Sequence, residues 1–487
     1  MLKPSFLAAA ALSLATFFAQ AEPPAVIDLP QLGNPADVAL SPADEVLIGK
    51  QVVGELYHYD YILEDLELGE YLSGIGWRLA ANGSDTPPPF NFYVIADPRI
   101  NAFALPGAHI GFNAGTILSA QSESELASVL AHEEAHVTQR HAARGENDNT
   151  VANLATWAAV LAAIIAGSAN PNLVIGALSL GQGINYNREV SYTRQNEFEA
   201  DRIGIRTLYA SGFDPNAMAG FFSRLEQQTR LYGSQLPEIL QTHPVNTTRI
   251  AEASERAAQY PTRKEYKDSP EFVFMRARTR VLISDSPNGI MGFYAGETAA
   301  HDTPENRYGY ALTLERLGRY AEAEHVLEPM LDKFQKQPNV NLLQADVLIG
   351  LGRTAEGLAV YDRMLTLYPR YSPAILEYAS ALVDVGKPEE ARSIILSHEQ
   401  SFGPRIETFK ILAQAARASG NTAEAQYQTA EYQYRRGELR SAIEALNAGL
   451  RIASITTQDR ARLSAKRQEL LSTIPREQLE RLQRQPG

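Results

Sequence analysis

Cysteine is absent from all 487 residues. That excludes disulfide staples, a lipidated N-terminal cysteine, thiol catalysis and any metal site built on thiolates. Positive charge is in short supply. Lys and Arg number 44 against 57 Asp and Glu, and the net charge of −13 with no basic stripe argues against nucleic acid as a partner. An unbroken apolar run of membrane-spanning length is also missing. The nearest approach, Asn149 to Asn187, carries no charge, but Gly167, Asn170 and Pro171 separate its helical stretch Val151–Ala166 from Leu173–Leu180. It reads first as a buried helical hairpin. An element touching a membrane surface or a partner, and a true span, are the alternatives.

What is present begins with a targeting pattern. Lys3 gives a basic start, Phe6 to Phe18 is apolar, and Ala19-Gln20-Ala21 is an A-x-A cleavage site, so the mature chain is expected to begin at Glu22. An exported chain without cysteine points to the bacterial periplasm. Glu22 to about Leu40 is Pro-rich and expected to be extended. Ser41 and Pro42 mark a helix start, and helical periodicity continues through Leu63, Leu72 and Leu79. After the break at Thr86–Pro89, Phe90–Ile95 alternates as a strand, and Phe103–Phe112 reads as a hairpin bent at Pro106-Gly107. Such an edge strand can pair with an extended peptide backbone.

The chemistry is concentrated in His132-Glu133-Glu134-Ala135-His136, the pattern H-E-x-x-H. Histidines at i and i+4 share one helix face and can hold one zinc ion. Glu133 beside them can take a proton from the attacking water and return it to the leaving amine. Ser122 or Ser124 can cap that helix. A catalytic zinc takes three protein ligands and keeps one position open. Glu197 and Asp201 are again i and i+4, so one can ligate the metal while the other supports a ligand histidine or a substrate oxygen. His243 precedes Pro244, which biases it away from helix. Its imidazole can fill the open metal position, polarise the substrate carbonyl, or serve structurally. Arg249 either stabilises a developing oxyanion or pairs with an acidic residue. His109 and His141 are read as structural.

His132-Glu133-x-x-His136 followed by Glu197-x-x-Ala200-Asp201 resembles the HtpX and CAAX-prenyl-endopeptidase family of gluzincins. Asn101-Ala102-Phe103-Ala104-Leu105-Pro106-Gly107 and Thr242-His243-Pro244 with Arg249-Ile250 are similar to its upstream strand segment and downstream turn. The resemblance implies a zinc endopeptidase with one zinc per chain, held by His132, His136 and Glu197.

The C-terminal third repeats. Gly318, Gly352, Gly386 and Gly420 recur at 34 residues, with Ala311, Ala345, Ala379 and Ala413 seven residues before them and Ala323, Gly357, Ala391 and Ala425 five after. This resembles the tetratricopeptide repeat, whose stacked helix pairs form protein-binding surfaces. Gly437 follows after only 17 residues, so the last units are irregular. The expected fold is mostly helical: an α+β gluzincin domain with a small sheet, then a repeat solenoid. The expected divisions are 1–21 signal peptide, 22–265 peptidase, 266–300 helical linker, 301–475 repeats and 476–487 tail, with peptidase and repeats separable. Exported peptidase and repeats together resemble the periplasmic proteases of outer-membrane barrel assembly. That implies β-barrel proteins as clients and docking on the barrel assembly machinery through the repeats. The alternative is a chaperone or adaptor in which proteolysis is minor or latent.

Overall fold

Ser41 is the N-cap of the first helix, its hydroxyl accepting from the Asp44 amide at 3.2 Å, with Pro42 in the first turn. This computed structural model describes residues 40–144, 193–232, 238–261 and 266–472. The expected signal peptide, the charge-free stretch Asn149–Asn187 and the tail lie outside the described residues.

Helix α1 (Pro42–His58) ends sooner than its periodicity predicts. Asp60 takes a left-handed φ of 54°, and Ile62 then bridges to Ile95 while the Leu63 amide donates to Val94 at 2.9 Å. Sheet pairing captures this segment because its amides gain partners there. Asp65 restarts the helix by capping α2 (Leu66–Gly83) through the Leu68 amide. Three strands follow, β1 (Asn91–Ile95), β2 (Ala102–Leu105) and β3 (His109–Asn113), in the order β1-β3-β2. β1 runs parallel to β3, while β2 and β3 form the expected hairpin. β2 is therefore an edge, and it lies beside the helix that carries the histidine pair.

The peptidase half continues with α3 (Ala114–Ser119), α4 (Glu123–Thr138), α5 (Arg194–Ala210), α6 (Ala217–Tyr232), α7 (Glu238–Thr242) and α8 (Thr247–Ala257). Two helices occupy the expected linker, α9 (Pro270–Leu282) and α10 (Pro287–Ala300). The repeats are α11 (Pro304–Arg316), α12 (Tyr320–Leu331), α13 (Pro338–Gly350), α14 (Thr354–Leu367), α15 (Ser372–Asp384), α16 (Pro388–Phe402), α17 (Ile406–Ala418), α18 (Thr422–Arg435), α19 (Leu439–Leu450) and α20 (Thr457–Ser472). The 34-residue glycines turn one helix into the next with φ between 70° and 80°, and the flanking alanines are buried where the paired helices touch. Among the described residues no helix is long and apolar enough to cross a membrane.

The two halves share a core. One apolar cluster runs from Leu72, Phe112 and Leu130 through Phe272 and Phe274 of α9 into Tyr308, Leu314 and Val340 of the repeats. The segment expected to link the domains is thus part of their common core. Arg278 of α9 pairs with Asp65 at 2.8 Å and Glu67 at 2.6 Å. The array then returns to the N-terminal helix. Arg436 pairs with Asp60 and Glu64 and donates to the Tyr57 carbonyl, and Gly437 lies against Gly54 so closely that a Cβ would meet its Cα at 2.5 Å.

Candidate active site

The histidine pair is fixed by a helix that is anchored at its start and packed without bulk along its side. Ser122 caps α4 by accepting from the Glu125 amide, and Arg224 clamps the Glu125 carboxylate with two contacts of 2.6 Å. Ala127, Ala131 and Ala135 of α4 are buried, as are Ala200 and Gly204 of α5. A Cβ on Gly204 would stand 3.4 Å from both the Ala131 carbonyl carbon and the His132 nitrogen. Glycine there lets the two helices approach until Glu197 and Asp201 reach the histidines.

The side chains converge. His132 and His136 bring their Nε2 atoms to 3.0 Å of each other. Glu197 places Oε2 at 3.5 Å from His132 Nε2 and Oε1 at 3.3 Å from His136 Nε2. His243 completes the group, with Nδ1 at 2.9 Å from Glu197 Oε1 and 3.3 Å from His132 Nε2. These four buried residues offer ligand atoms within 4.8 Å of one another. His243 reaches them because α7 ends there, its amide donating to Ile239, and Pro244 prevents continuation. Asn246 then caps α8.

Asp201 lies behind the first histidine, Oδ1 at 3.0 Å from His132 Nδ1. Arg249 donates to both Asp201 oxygens at 2.7 and 2.8 Å and to the Pro244 carbonyl at 2.9 Å, and forms an ion pair with Glu197 Oε2 at 2.6 Å. Of the two roles read for Arg249 in the sequence, pairing with acidic residues is the one this geometry contains. The buried guanidinium faces carboxylates and the Phe222 ring. Glu133 is fully buried, with Oε1 3.5 Å from His243 Nε2 and neither oxygen in a full side-chain hydrogen bond. Beside it an apolar recess is lined by Val129, Phe222, Leu225, Ile239, Leu240 and Val245.

The electrostatics suit a cation. Burial works against a charged His132, yet hydrogen bonds to Asp201 and Glu197 outweigh it and raise the imidazole to about 10. Burial drives His136 well below its ordinary value. Burial would also raise Glu197, but the His243 charge and the imidazole hydrogen bonds hold its carboxyl well below the carboxylate range. Burial pushes Glu133 up. Imidazole nitrogens crowded around one carboxylate need a positive charge among them, which a proton on His132 supplies and a divalent ion supplies better. Nitrogen donors with a carboxylate suit a borderline transition metal more than calcium or magnesium.

Comparison with known proteins agrees with this geometry. The profile of peptidase family M48 matches residues 69–257, which span α2 through α8, and a tetratricopeptide-repeat profile matches residues 308–372. The beta-barrel assembly-enhancing protease of Escherichia coli K12 is 32% identical over 91% of this chain and 91% of its own. The chain belongs to peptidase family M48. It is a metalloendopeptidase followed by tetratricopeptide repeats. The beta-barrel assembly-enhancing protease of Yersinia pestis is 31% identical, again over 91% of each chain. The mitochondrial metalloendopeptidase OMA1 of Schizosaccharomyces pombe is 30% identical over 41% of this chain and 56% of its own.

One pair of residues escaped the sequence reading. His141, set aside as structural, has Nδ1 at 2.9 Å from His136 Nδ1, and Glu199 meets its other nitrogen at 3.2 Å. A histidine five residues past the second one of H-E-x-x-H, just where the helix must end, was the available signal.

Proposed function

We propose that this M48 metalloendopeptidase is a periplasmic zinc enzyme that assists outer-membrane β-barrel assembly and degrades misassembled barrel proteins. The observation that carries the reading is the convergence of His132, His136 and Glu197 beside the fully buried Glu133, in a chain that aligns nearly end to end with beta-barrel assembly-enhancing proteases. Zinc would be held by His132, His136 and Glu197, where it would supply Lewis acidity toward the scissile carbonyl and the attacking water. Glu133 accepts that water's proton and delivers it to the leaving amine. Its burial helps, because a carboxylate whose pKa burial pushes up is a stronger base toward that water. Asp201 orients His132, and Arg249 holds Asp201 and Glu197 in place. The edge strand β2 offers its free side to an extended client backbone. The repeats dock clients or the assembly machinery.

His243 supports a second reading, in which proteolysis is latent and the repeat-based adaptor role dominates at rest. With its ring among the proposed ligands, His243 fills the position a substrate must take, so the resting enzyme is plugged. A Glu133→Gln protein tests the main reading. It should keep zinc and its fold, lose roughly 10²–10⁴-fold in turnover, and retain barrel proteins in a pull-down from membranes. Normal turnover, or a pull-down free of barrel proteins, refutes the assignment.

A further inference from the structure

The outer nitrogens of the two H-E-x-x-H imidazoles are both engaged, but by different chemistry. His132 Nδ1 faces the Asp201 carboxylate at 3.0 Å. His136 Nδ1 faces another imidazole, that of His141, at 2.9 Å.

The helix terminus creates this contact. After the cap residue Gln139, Arg140 adopts a left-handed φ of 51°. Its amide donates to the Val137 carbonyl at 2.9 Å, and the next amide, that of His141, reaches back to the His136 carbonyl at 3.0 Å. These two bonds are the Schellman closure, which lays the residue after the left-handed position over the residue three before the cap. Apolar side chains usually meet at that point. Here His141 and His136 meet edge to face, ring centroids 4.9 Å apart. Glycine usually takes the left-handed position. Arg140 holds it instead because its guanidinium is tied to Glu45 at 3.0 Å and to the Leu40 carbonyl at 2.8 Å. On its far side His141 Nε2 meets Glu199 Oε2 of α5 at 3.2 Å, and Arg144 reaches the same oxygen at 3.4 Å.

Proton direction along this chain follows from the metal end. A neutral His136 that presents Nε2 to a metal carries its proton on Nδ1 and needs an acceptor there. His141 Nδ1 can accept only if its own proton sits on Nε2, and that N–H needs an acceptor in turn. The Glu199 carboxylate is one. Each link fixes the tautomer of the next.

We propose that His141, anchored by Glu199, is a positioning residue that holds His136 in the tautomer and rotamer presenting Nε2 to the metal. The proposal rests on His136 being a ligand, and that is checked separately. Zinc dissociation constants of the full chain are measured by competition with a chromophoric chelator. His141→Ala, and His141→Phe, which fills the space without an acceptor, should weaken zinc roughly 10–100-fold. His141→Asn should recover most of that loss, because its Oδ1 can stand where Nδ1 stood and accept from His136. Ring ¹⁵N spectra of the zinc-loaded protein should show His136 protonated at Nδ1 alone, and mixed or broadened signals in His141→Phe. Unchanged affinity in the Ala and Phe proteins, or an Asn protein no better than Phe, overturns the proposal. If the Ala protein does not fold, as judged from thermal melts, the Asn and Phe pair still decides. His136→Ala is the control. Zinc retained there refutes the ligand assignment itself, whereas zinc lost there but kept in His141→Phe refutes only the positioning role.

Discussion

His243 is held by two carboxylates at once, Glu197 Oε1 at 2.9 Å from Nδ1 and Glu133 Oε1 at 3.5 Å from Nε2. One ring thus spans the proposed ligand and the proposed base, and on the plug reading a substrate must move it to reach either. The expected result of His243→Ala is faster proteolysis of barrel proteins or of the enzyme itself, with zinc retained by the remaining ligands. A turnover assay gives the sign. Slower proteolysis would mean that His243 polarises the carbonyl, and an unchanged rate would remove it from the mechanism. The imidazole sits on the short link between α7 and α8, which Arg249 ties to α5 through the Pro244 carbonyl.

At the scale of elements, the site depends on how closely two helices approach. Gly204 faces the backbone of α4 at the start of the H-E-x-x-H pattern. Gly204→Val adds bulk where a Cβ would already crowd the Met218 methyl at 2.9 Å. Overpacking of this kind costs about 1–3 kcal/mol, and here the strain is relieved by moving α5, which carries Glu197 and Asp201, away from α4. A lower melting temperature together with weakened zinc binding is expected. A stability loss with unchanged zinc affinity would show that α5 keeps its place and that the approach is not what positions Glu197.

At the scale of the whole molecule, peptidase and repeats share one apolar cluster, so they are expected to melt together. A chain ending near residue 300 would strip α9 of Tyr308 and Phe334, which pack on Phe274. Such a truncation should melt lower than the full chain and aggregate through that exposed face. A truncated protein with an unchanged melting temperature would restore the modular picture. The same interface gives a pH dependence. Burial pushes Glu67 from an ordinary 4.5 up to about 7, despite the neighbouring Arg278 and the hydrogen bond from Asn339. The folded chain therefore keeps a proton that the unfolded chain has released, so this contribution to stability falls as pH rises from about 4.5 to about 7. Across that window the zinc-loaded protein should lose melting temperature relative to Glu67→Gln as pH rises. Identical slopes would show that Glu67 does not titrate there.

The sequence by itself determined what spacing and local chemistry can carry. H-E-x-x-H on a helix, the i, i+4 pair Glu197 and Asp201, the hairpin at Pro106-Gly107 and the 34-residue glycines were all legible, because helix period, turn geometry and repeat length are written within a few residues of one another. The tertiary structure decided what depends on residues far apart in the chain. The helix expected to run through Leu63 stops because Ile62 finds a rung beside β1, a pairing no local pattern announces. The segment expected to be a linker is core because both halves press apolar faces on α9. Arg249 pairs with carboxylates, and His243 joins the imidazoles, because α5, α7 and α8 meet in space. Burial also sets the charges. A histidine near 10 and another well below its ordinary value stand four residues apart on one helix, the first beside Asp201 and Glu197, the second lowered by burial and by the charges of His132 and His243.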